Sequence, residues 1–502
     1  MDFRDYSLKE LVSNVQGKKI SAKELTQSAL DNIEKFDGEI NAFCSINPED
    51  ALLQAEQIDS AIMKNEEVGI LAGIPIGVKD LEDAKGFITS FGSELHINDA
   101  PANEDSILVQ RMRDQGCVIL GKTNTPEFGH KGKTDNVPFG TTKNPWNLQY
   151  SAGGSSGGTS AALASGMIPL GTGSDGGGSI RIPAALGGLS GLKTSQGRIP
   201  IGGKTPPGSG LLTVKGPMAN TTQDNALALD ATVGPDPTDI FSLESDNLNW
   251  SEELINDVPT TAIWSPTMGF STVDKEILSK CEKAINSLAE AGVEIIEKET
   301  IWNENPVDDW MIFWACACAR RQQHLIDTKD FKKIDPLLRF FIEMGTNMDG
   351  ASYASAIDAC HKLGYQLEKF FEEAPLIITP ATCGQAPKLE GDGFVNGSET
   401  PSWVDFTMGI NMTRNPAGVI PISLLDSGLP ASLQIIGGQR QDLNVIEEAN
   451  AYKGLINIKK INNENLAKLI GKSSSHVSNI LRLLELDKKI QQSAVVGFDF
   501  YK

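Results

Sequence analysis

The sequence predicts an α/β fold with one large β-sheet and helices on its faces. Short apolar runs with the length of buried strands are mixed with stretches of helical periodicity through about 440 residues. Glycine or proline flanks several of these runs, as is typical where a strand enters a loop. A chain of 502 residues can bury a core of this size. We find no internal repeat and no low-complexity linker.

The beginning of the chain contains three predicted elements. Ser21 and Glu24 have the spacing of a capping box, and the apolar residues that follow recur at helical intervals, which predicts a helix. Residues 74–78 alternate apolar side chains with Pro and Gly, which predicts a short strand that delivers Lys79 at its end. Residues 118–120 are apolar and lie near glycines, which predicts a second buried strand.

Later segments continue the mixture of helices and strands. Residues 160–165 are small and compatible with a helix, and residues 376–379 predict a strand. Residues 421–425 and 433–436 lie on either side of an Asp-Ser-Gly turn at 426–428, which predicts a hairpin. These elements complete the predicted α/β architecture.

The chain is acidic. Acidic side chains outnumber basic ones by 65 to 44, which gives a formal net charge of −21 and argues against a general binder of nucleic acids or acidic membranes. Residues 459–489 depart from this balance, with seven basic and three acidic side chains. We find no secretory signal and no apolar run of about 18 residues, so we expect a cytoplasmic protein without a membrane partner.

Seven cysteines are scattered along the chain. An odd, dispersed set is typical of free thiols in a reducing compartment rather than of a disulfide framework. Cys316 and Cys318 form a C-x-C pair, but no histidine or cysteine follows at the spacing of a zinc site. We therefore expect these thiols to pack in the core, and we expect neither a metal nor a cofactor.

Two serines lie in glycine-rich surroundings within residues 151–183. Ser155 and Ser179 are 24 positions apart. A serine hydroxyl needs a base before it can act as a nucleophile, and a lysine whose pKa is lowered by burial can be that base. Lys79, at the end of a predicted apolar strand, is the candidate base. The consecutive amides of residues 176–179 can converge on a developing oxyanion.

Three motif matches offer other interpretations. Residues 116–123 fit the phosphate-loop pattern, but their middle residues Cys-Val-Ile-Leu indicate a strand. Residues 153–157 fit the G-x-S-x-G elbow of Ser-His-Asp hydrolases, but the segment before them is a poor buried strand and the later histidines have no local sign of function. Residues 190–193 and 245–247 match the S-x-x-K and S-D-N motifs of β-lactamases, but the third motif of those enzymes, K-T-G, does not follow. We disfavour all three.

Six short blocks of the sequence follow one another in a characteristic order. They are IPIGVKD at 74–80, GKTNTPE at 121–127, NPW at 144–146, GGSSGG at 153–158, GSDGGGSIRIP at 173–183 and GLK at 191–193. In order and spacing they resemble the amidase signature family, and the resemblance extends over about residues 5–440. It implies the amidase signature fold, in which a large mixed β-sheet core is flanked by helices.

The resemblance also implies a Ser-cisSer-Lys triad. The matching residues are Ser179 as the nucleophile, Ser155 as the bridging serine and Lys79 as the base. A cis peptide bond between Gly154 and Ser155 belongs to the same family pattern.

The glycine-rich loop has two implied roles. Its backbone N–H groups would form the oxyanion hole, from Gly176, Gly177, Gly178 and Ser179. Asp175 and Arg181 are expected to brace the loop rather than to take part in the chemistry. Three positions depart from the family pattern, and none of them is a triad position: Ser174 in place of Thr, Asn220 in place of Arg, and Gly176 in place of Thr or Ile.

The implied activity is hydrolysis of the carbon–nitrogen bond of a small-molecule amide through an acyl-enzyme. The A subunit of a tRNA-dependent amidotransferase, which transfers ammonia together with a partner protein, is a second candidate from the same family. The motifs do not identify the substrate. We take residues 308–321 and 408–415 as candidates for the wall of its pocket, and we also consider a homodimer.

The C-terminal part has a different resemblance. Residues 439–491 are similar to the helix-turn-helix segment of ParB-type partition proteins, with 466–470 as a first helix, Gly471 in the turn and 474–484 as a second helix. DNA binding through this segment is one hypothesis, and a helical cap without a DNA role is the other. We divide the chain into an amidase signature domain at 1–440, an all-helical segment at 441–492 and a tail at 493–502.

Overall fold

The computed structural model describes residues 1–203, 212–254 and 260–460, with the backbone alone for Glu448 and residues 453–460. The chain divides into two compact units, Met1–Ala451 and Tyr452–Lys502. The predicted helix-turn-helix at 466–484 and the predicted tail lie outside the described residues.

The described residues form 17 strands, of which eleven belong to two large sheets and six pair into three short ribbons. The strands are β1 (Phe43–Ile46), β2 (Pro75–Lys79), β3 (Val118–Thr123), β4 (Asp135–Asn136), β5 (Gly140–Thr141), β6 (Lys143–Asn144), β7 (Asn147–Ser151), β8 (Leu170–Asp175), β9 (Gly191–Lys193), β10 (Val214–Ala219), β11 (Thr261–Trp264), β12 (Glu294–Glu297), β13 (Leu376–Pro380), β14 (Phe394–Val395), β15 (Ser398–Glu399), β16 (Ala417–Leu424) and β17 (Pro430–Gly437).

Thirteen α-helices surround the sheets in the part of the chain that the structure describes. They are α1 (Leu8–Gln16), α2 (Ala22–Ile40), α3 (Pro48–Met63), α4 (Ile107–Asp114), α5 (Gly157–Ala164), α6 (Arg181–Gly187), α7 (Thr222–Thr232), α8 (Lys275–Glu290), α9 (Val307–Gln322), α10 (Pro336–Thr346), α11 (Gly350–Phe370), α12 (Met408–Thr413) and α13 (Asp442–Lys460). None of these helices combines the length and apolar character needed to cross a membrane.

The two large sheets meet at one edge. Their strand orders are β1-β3-β2-β8-β10 and β12-β11-β13-β17-β16-β9. An isolated antiparallel bridge between Ser190 and Ala219 joins the edge strand β10 to the start of β9. Both sheets contain parallel and antiparallel pairs, so the predicted mixed strand pairing and flanking helices are confirmed. The predicted single large sheet is instead two sheets joined by one bridge.

Several local predictions are confirmed. The capping box of α2 is present, with Ser21 Oγ accepting from Glu24 N at 3.0 Å and Glu24 Oε2 accepting from Ser21 N at 2.8 Å. Strand β2 ends at Lys79, and β16 pairs with β17 as an antiparallel hairpin. Residues 118–123 form a fully buried strand, which rules out a phosphate loop there.

Two neighbouring strand ends create the site. Strands β2 and β8 are parallel, so their carboxyl ends lie at the same edge of the sheet. β2 ends at Lys79 and β8 ends at Asp175. The segment that contains Ser155 leads into α5, whose eight residues are all buried. Close packing there requires small residues, because a Cβ on Gly158 would lie 2.3 Å from Asn124 N.

Candidate active site

Lys79 is surrounded by serine hydroxyls. Its side chain is wholly buried, and its Nζ lies 2.8 Å from Ser155 Oγ, 2.9 Å from Ser156 Oγ and 3.0 Å from Ser174 Oγ. Its backbone N–H donates to Thr172 Oγ1 at 2.9 Å, which fixes the end of β2 against β8. The predicted base therefore contacts the predicted bridging serine.

The environment of Lys79 favours the neutral form of its amine. Burial lowers its pKa to about 7, although the charges of Glu82 and Asp175 act in the opposite direction. Neither carboxylate forms a hydrogen bond with Nζ among the described residues. The hydroxyls offer hydrogen bonds without adding a negative charge, so the neutral amine is well populated at neutral pH.

Ser155 and Ser179 line one cavity. Ser155 is buried and follows a cis peptide bond after Gly154, as the family pattern implies. Ser179 is half-buried, and its carbonyl accepts from the N–H of Ser156 at 3.1 Å. This backbone bond ties the two serine-bearing segments together, so both serines border the same space.

The N–H groups of the glycine-rich loop divide into two sets. The N–H of Gly178 donates to Asp175 Oδ1 at 2.7 Å and is thus engaged within the protein. The N–H groups of Gly176, Gly177 and Ser179 donate to no acceptor among the described residues. Those three amides thus have no acceptor within the described residues, whereas the Gly178 amide, which was predicted to belong to the oxyanion hole, is bonded to Asp175.

A buried ion pair braces this loop. Arg181 Nε lies 2.9 Å from Asp175 Oδ2, and both side chains are fully buried. Arg181 also donates to Asn411 Oδ1 at 2.6 Å and to Gln434 Oε1 at 2.7 Å. Burial alone would raise the pKa of Asp175, but Arg181 holds it well below its usual range. The predicted bracing role of the pair agrees with this geometry.

Two carbonyls of the glycine-rich loop accept hydrogen bonds from side chains far along the chain. Trp310 Nε1 on α9 donates to the Gly176 carbonyl at 2.8 Å, and Thr407 Oγ1 donates to the Gly177 carbonyl at 2.6 Å. A Cβ on Gly177 would lie 2.6 Å from the Trp310 ring. The Gly176 carbonyl and the Gly177 N–H belong to one peptide unit, so the bond from Trp310 also fixes the orientation of the Gly177 amide.

The cavity above the serines has a volume of about 610 Å³. Segment 308–321 contributes Trp314, Ala317, Cys318 and Arg321 to its lining, as predicted. The prediction that segment 408–415 is a wall is wrong, because none of its residues lines this cavity. Instead, Asn411 Nδ2 donates to the Asp175 carbonyl at 2.9 Å and so supports the loop from behind.

Sequence reasoning misses two contacts of Lys79. The first contact is Ser156, the neighbour of the predicted bridging serine Ser155. Nothing in the local sequence shows that Ser156 also contacts Lys79. The second contact is Ser174, which is not a triad position but whose Oγ lies 3.0 Å from Lys79 Nζ. It reaches the amine because it is the penultimate residue of β8, next to the end of β2. The departure from the family pattern keeps a hydroxyl at this position and removes only a methyl group.

The Ser-His-Asp interpretation finds no support in the geometry. Among the described residues, no histidine lines the cavity or bonds to Ser155. The segment before the G-x-S-x-G match is β7, which belongs to a short two-stranded ribbon with exposed positions rather than to the main sheet. A nucleophile elbow requires a buried strand there.

Comparison with known proteins identifies the family. A family model described as Amidase matches residues 24–446. An acylamidase from Rhodococcus erythropolis is 32% identical over 466 residues, which cover 89% of this chain and 95% of that protein. The chain belongs to the amidase family. The A subunit of glutamyl-tRNA(Gln) amidotransferase from Agathobacter rectalis is 30% identical over 485 residues, covering 92% of this chain and 96% of that one.

Solved structures of the amidase family share the fold. A bacterial aryl acylamidase of the amidase signature enzymes superimposes with a TM-score of 0.84 at 29% identity, covering 90% of this chain and 96% of that chain. A 6-aminohexanoate cyclic dimer hydrolase, solved with its substrate, gives a TM-score of 0.81 at 26% identity, with 91% and 98% coverage. The predicted amidase signature fold is therefore confirmed.

A second family model matches the end of this amidase. It is described as the ParB HTH domain and matches residues 441–496. The two matched ranges share residues 441–446, at the beginning of α13. The resemblance to a ParB helix-turn-helix is confirmed, and the boundary after residue 440 stays a prediction.

Proposed function

We propose that this amidase hydrolyses the carbon–nitrogen bond of a carboxamide through an acyl-enzyme on Ser179. Lys79 is the base, and Ser155 relays the proton between them. The observation that carries the proposal is the wholly buried amine of Lys79, whose side-chain hydrogen-bond partners are serine hydroxyls. A lysine with a pKa of about 7 can accept a proton at neutral pH, and an ordinary lysine cannot.

The relay needs the lone pair of Lys79 to face Ser155. A neutral amine has two N–H donors and one lone pair. When Ser156 and Ser174 accept the two N–H groups, the lone pair is left for the hydroxyl of Ser155. The 2.8 Å separation between Nζ and Ser155 Oγ suits a hydrogen bond in either direction. Ser156 and Ser174 are thus positioning residues for the base.

The proposed reaction has two halves. Ser179 Oγ attacks the amide carbonyl and gives its proton to Ser155, which gives its own to Lys79. Collapse of the tetrahedral intermediate breaks the carbon–nitrogen bond, and the same relay returns a proton to the leaving amine. Water then attacks the acyl-enzyme, loses a proton to the relay and releases the carboxylic acid, while Ser179 recovers its proton.

The oxyanion of each tetrahedral intermediate would lie against the glycine-rich loop. The amides of Gly176, Gly177 and Ser179 are the donors without an internal acceptor among the described residues. One such donor contributes about 3 kcal/mol to the lowering of a barrier. The bond from Trp310 to the Gly176 carbonyl supports this role, because it fixes the peptide unit that carries the Gly177 N–H before the reaction.

A serine-directed reagent is expected to label Ser179. The protein is treated with a fluorophosphonate, digested and analysed by mass spectrometry, and the adduct is expected on the peptide that contains Ser179. Ser179→Ala should abolish labelling, and Ser155→Ala should slow it without moving the adduct. An adduct on Ser155, or on no serine, would contradict the assignment of the nucleophile.

The rate of acylation is expected to rise with pH through about pH 7. The neutral form of Lys79 is the base, and it is lost as the pH falls below its pKa of about 7. The rate constant for labelling, measured between pH 5 and pH 9, should follow a single ionisation on the acidic side. A rate that does not change between pH 6 and pH 8 would rule out a base with this pKa.

The alternative within the family is the A subunit of an amidotransferase. Its support is the 30% identity to the A subunit of glutamyl-tRNA(Gln) amidotransferase over most of both chains. Turnover of simple amides by the isolated chain would favour the hydrolase. Glutaminase activity that requires a partner protein would favour the amidotransferase.

Three further expectations stay predictions. They are a cytoplasmic location, a homodimer and DNA binding through residues 441–492. Most of that last segment lies outside the described residues.

A further inference from the structure

An ion pair lies on the wall of the cavity that Ser155 and Ser174 also line. Lys215 Nζ on β10 lies 2.6 Å from Glu82 Oε2, and both residues border the cavity. The side chain of Glu82 is 1% exposed and that of Lys215 is 20% exposed, so the pair is largely shielded from solvent. A buried carboxylate is stable in its charged form only with such a partner. Neither residue has a role in the proposed relay.

The backbone fixes Glu82 next to Lys79. Three residues after the lysine, the N–H of Glu82 donates to the Lys79 carbonyl at 2.9 Å, which closes a turn at the end of β2. The Glu82 carbonyl accepts from Lys122 Nζ at 2.6 Å. Both backbone hydrogen-bonding groups of Glu82 are thus engaged, so its side chain starts from a fixed position beside the base.

Lys215 comes from the strand on the far side of β8, because β8 lies between β2 and β10 in the sheet. In the ladder of β8 and β10 it lies directly opposite Ser174. Residues opposite each other on neighbouring strands point their side chains to the same face of a sheet. Ser174 Oγ contacts Lys79 Nζ at 3.0 Å. Lys79 and the ion pair are therefore neighbours across a single residue of β8.

The charge of Glu82 acts on Lys79. Burial lowers the pKa of Lys79 to about 7, and the carboxylates of Glu82 and Asp175 act against burial. Asp175 is compensated by Arg181, whose Nε lies 2.9 Å from its Oδ2. Lys215 compensates Glu82 in the same way.

The other elements around the base add no uncompensated charge. On the neighbouring strand β3, Lys122 Nζ lies 3.2 Å from Asp80 Oδ1. Helix α5 and residues 151–156 before it contain no charged side chain. A loss of Lys215 would therefore leave Glu82 as the uncompensated charge beside Lys79.

We propose that Lys215 is a positioning residue of this amidase, which binds the carboxylate of Glu82 and so keeps Lys79 neutral and free for Ser155. The inference rests on the proposed function, because it takes Lys79 to be the base. A lysine beside a free buried carboxylate is stabilised in its protonated form, and a protonated lysine cannot accept a second proton. The pair of Glu82 with Lys215 prevents this exchange of partners.

Variants that remove one charge of the pair should shift the pH profile in opposite directions. The measurement is the rate constant for fluorophosphonate labelling between pH 5 and pH 9, whose midpoint is expected at about 7 in the parent. Lys215→Met should raise the midpoint by about one unit, which lowers the rate at pH 6 about tenfold, because Glu82 then favours the protonated lysine. Glu82→Gln should lower the midpoint, because it removes that charge. A midpoint that stays at the parent value in Lys215→Met would overturn the proposal.

Two further variants separate the effect of charge from that of packing. Lys215→Arg keeps the positive charge and should keep the parent midpoint. The double variant of Glu82→Gln with Lys215→Met removes both charges, so its midpoint should return close to that of the parent. A double variant whose midpoint stays as high as that of Lys215→Met would show that the freed carboxylate is not the cause, and it would overturn the proposal.

Arg113 provides the matched control for a carboxylate that is freed elsewhere on the cavity wall. Its Nε lies 2.7 Å from Oδ2 of Asp105, whose side chain is 3% exposed and which lines the cavity. Asp105 is not among the charges that act on Lys79. Arg113→Met should therefore be destabilised but keep the parent midpoint. An equal shift in Arg113→Met and Lys215→Met would overturn the specific role of Lys215.

A titration of Lys79 itself separates this inference from the proposed mechanism. The lysines are labelled with carbon-13 at Cε for NMR, and the Lys79 signal is identified by its loss in Lys79→Met. The pKa read from this signal should be higher in Lys215→Met and lower in Glu82→Gln than in the parent. If the reagent labels no serine in the parent, the mechanism fails and the NMR titration still decides the role of Lys215. The same pKa in the parent and in Lys215→Met would overturn that role.

Discussion

Replacement of Lys79 by alanine is expected to abolish acylation of Ser179 while the fold is kept. General base catalysis contributes about 10²- to 10⁴-fold, and no other base contacts Ser155 among the described residues. With a pKa of about 7 the lysine is mostly neutral at pH 8, and its side-chain partners are uncharged hydroxyls, so its replacement leaves no unpaired buried charge. The measurement is the rate constant for fluorophosphonate labelling at pH 8, together with kcat for an anilide.

Two variants serve as controls. Lys79→Met tests the effect of the lost side-chain volume, and Lys193→Met tests the effect of removing a different buried lysine. Lys79→Met fills most of the space, and it should be as inactive as the alanine variant but melt at a Tm closer to that of the parent. Lys193 is 1% exposed and has a pKa lowered to about 7 by burial, but its Nζ donates to the Thr194 carbonyl at 3.1 Å. Lys193→Met should still acylate. Parent-like turnover in Lys79→Ala would rule out the relay.

Arg181→Met is expected to lower the free energy of unfolding by about 3–5 kcal/mol, the usual cost of leaving one member of a buried ion pair alone. Asp175 would then be a fully buried carboxylate without its partner. The same carboxylate orders the glycine-rich loop through the N–H of Gly178. We therefore expect kcat to fall as well, with urea unfolding and steady-state kinetics as the measurements.

Arg198 provides the matched control for this variant. It is 8% exposed and pairs with the exposed Asp246 at 2.6 Å and with the buried Asp442 at 3.1 Å, so its removal also leaves a buried carboxylate without its partner. Arg198 does not line the cavity. Arg198→Met should be destabilised but should keep kcat at a temperature where it is folded. An equal loss of kcat in both variants would show that instability, and not the loop, limits the Arg181 variant.

The features that the sequence predicts correctly depend on local signals. An apolar strand with Lys79 at its end, and a serine among glycines that permit close packing, are recognisable within a few residues. The capping box at Ser21 is equally local. These signals suffice for the α/β class and for the choice of Lys79, Ser155 and Ser179 as candidates, whose catalytic roles stay a proposal.

The remaining contacts of the site depend on residues far apart in the chain. Trp310 meets Gly176 across 134 positions, and Arg181 meets Asn411 across 230. Nothing in the sequence near Asn411 indicates which side of α12 faces the glycine-rich loop. The sequence alone therefore does not show whether residues 408–415 line the cavity or pack behind the loop. The engagement of the Gly178 amide by Asp175 is also a result of the folded turn, since the sequence allows all four amides to face a substrate.

The position of Trp310 has a consequence for how this enzyme can change its substrate. Helix α9 holds the Gly176 carbonyl through Trp310, and its following turns carry the cavity face that includes Trp314 and Arg321. Any substitution that tilts the helix to admit a new substrate also moves the support of the glycine-rich loop. Changes on α9 should therefore be non-additive with changes in the loop. Epistasis of this kind restricts the order in which an evolving lineage can acquire a new specificity.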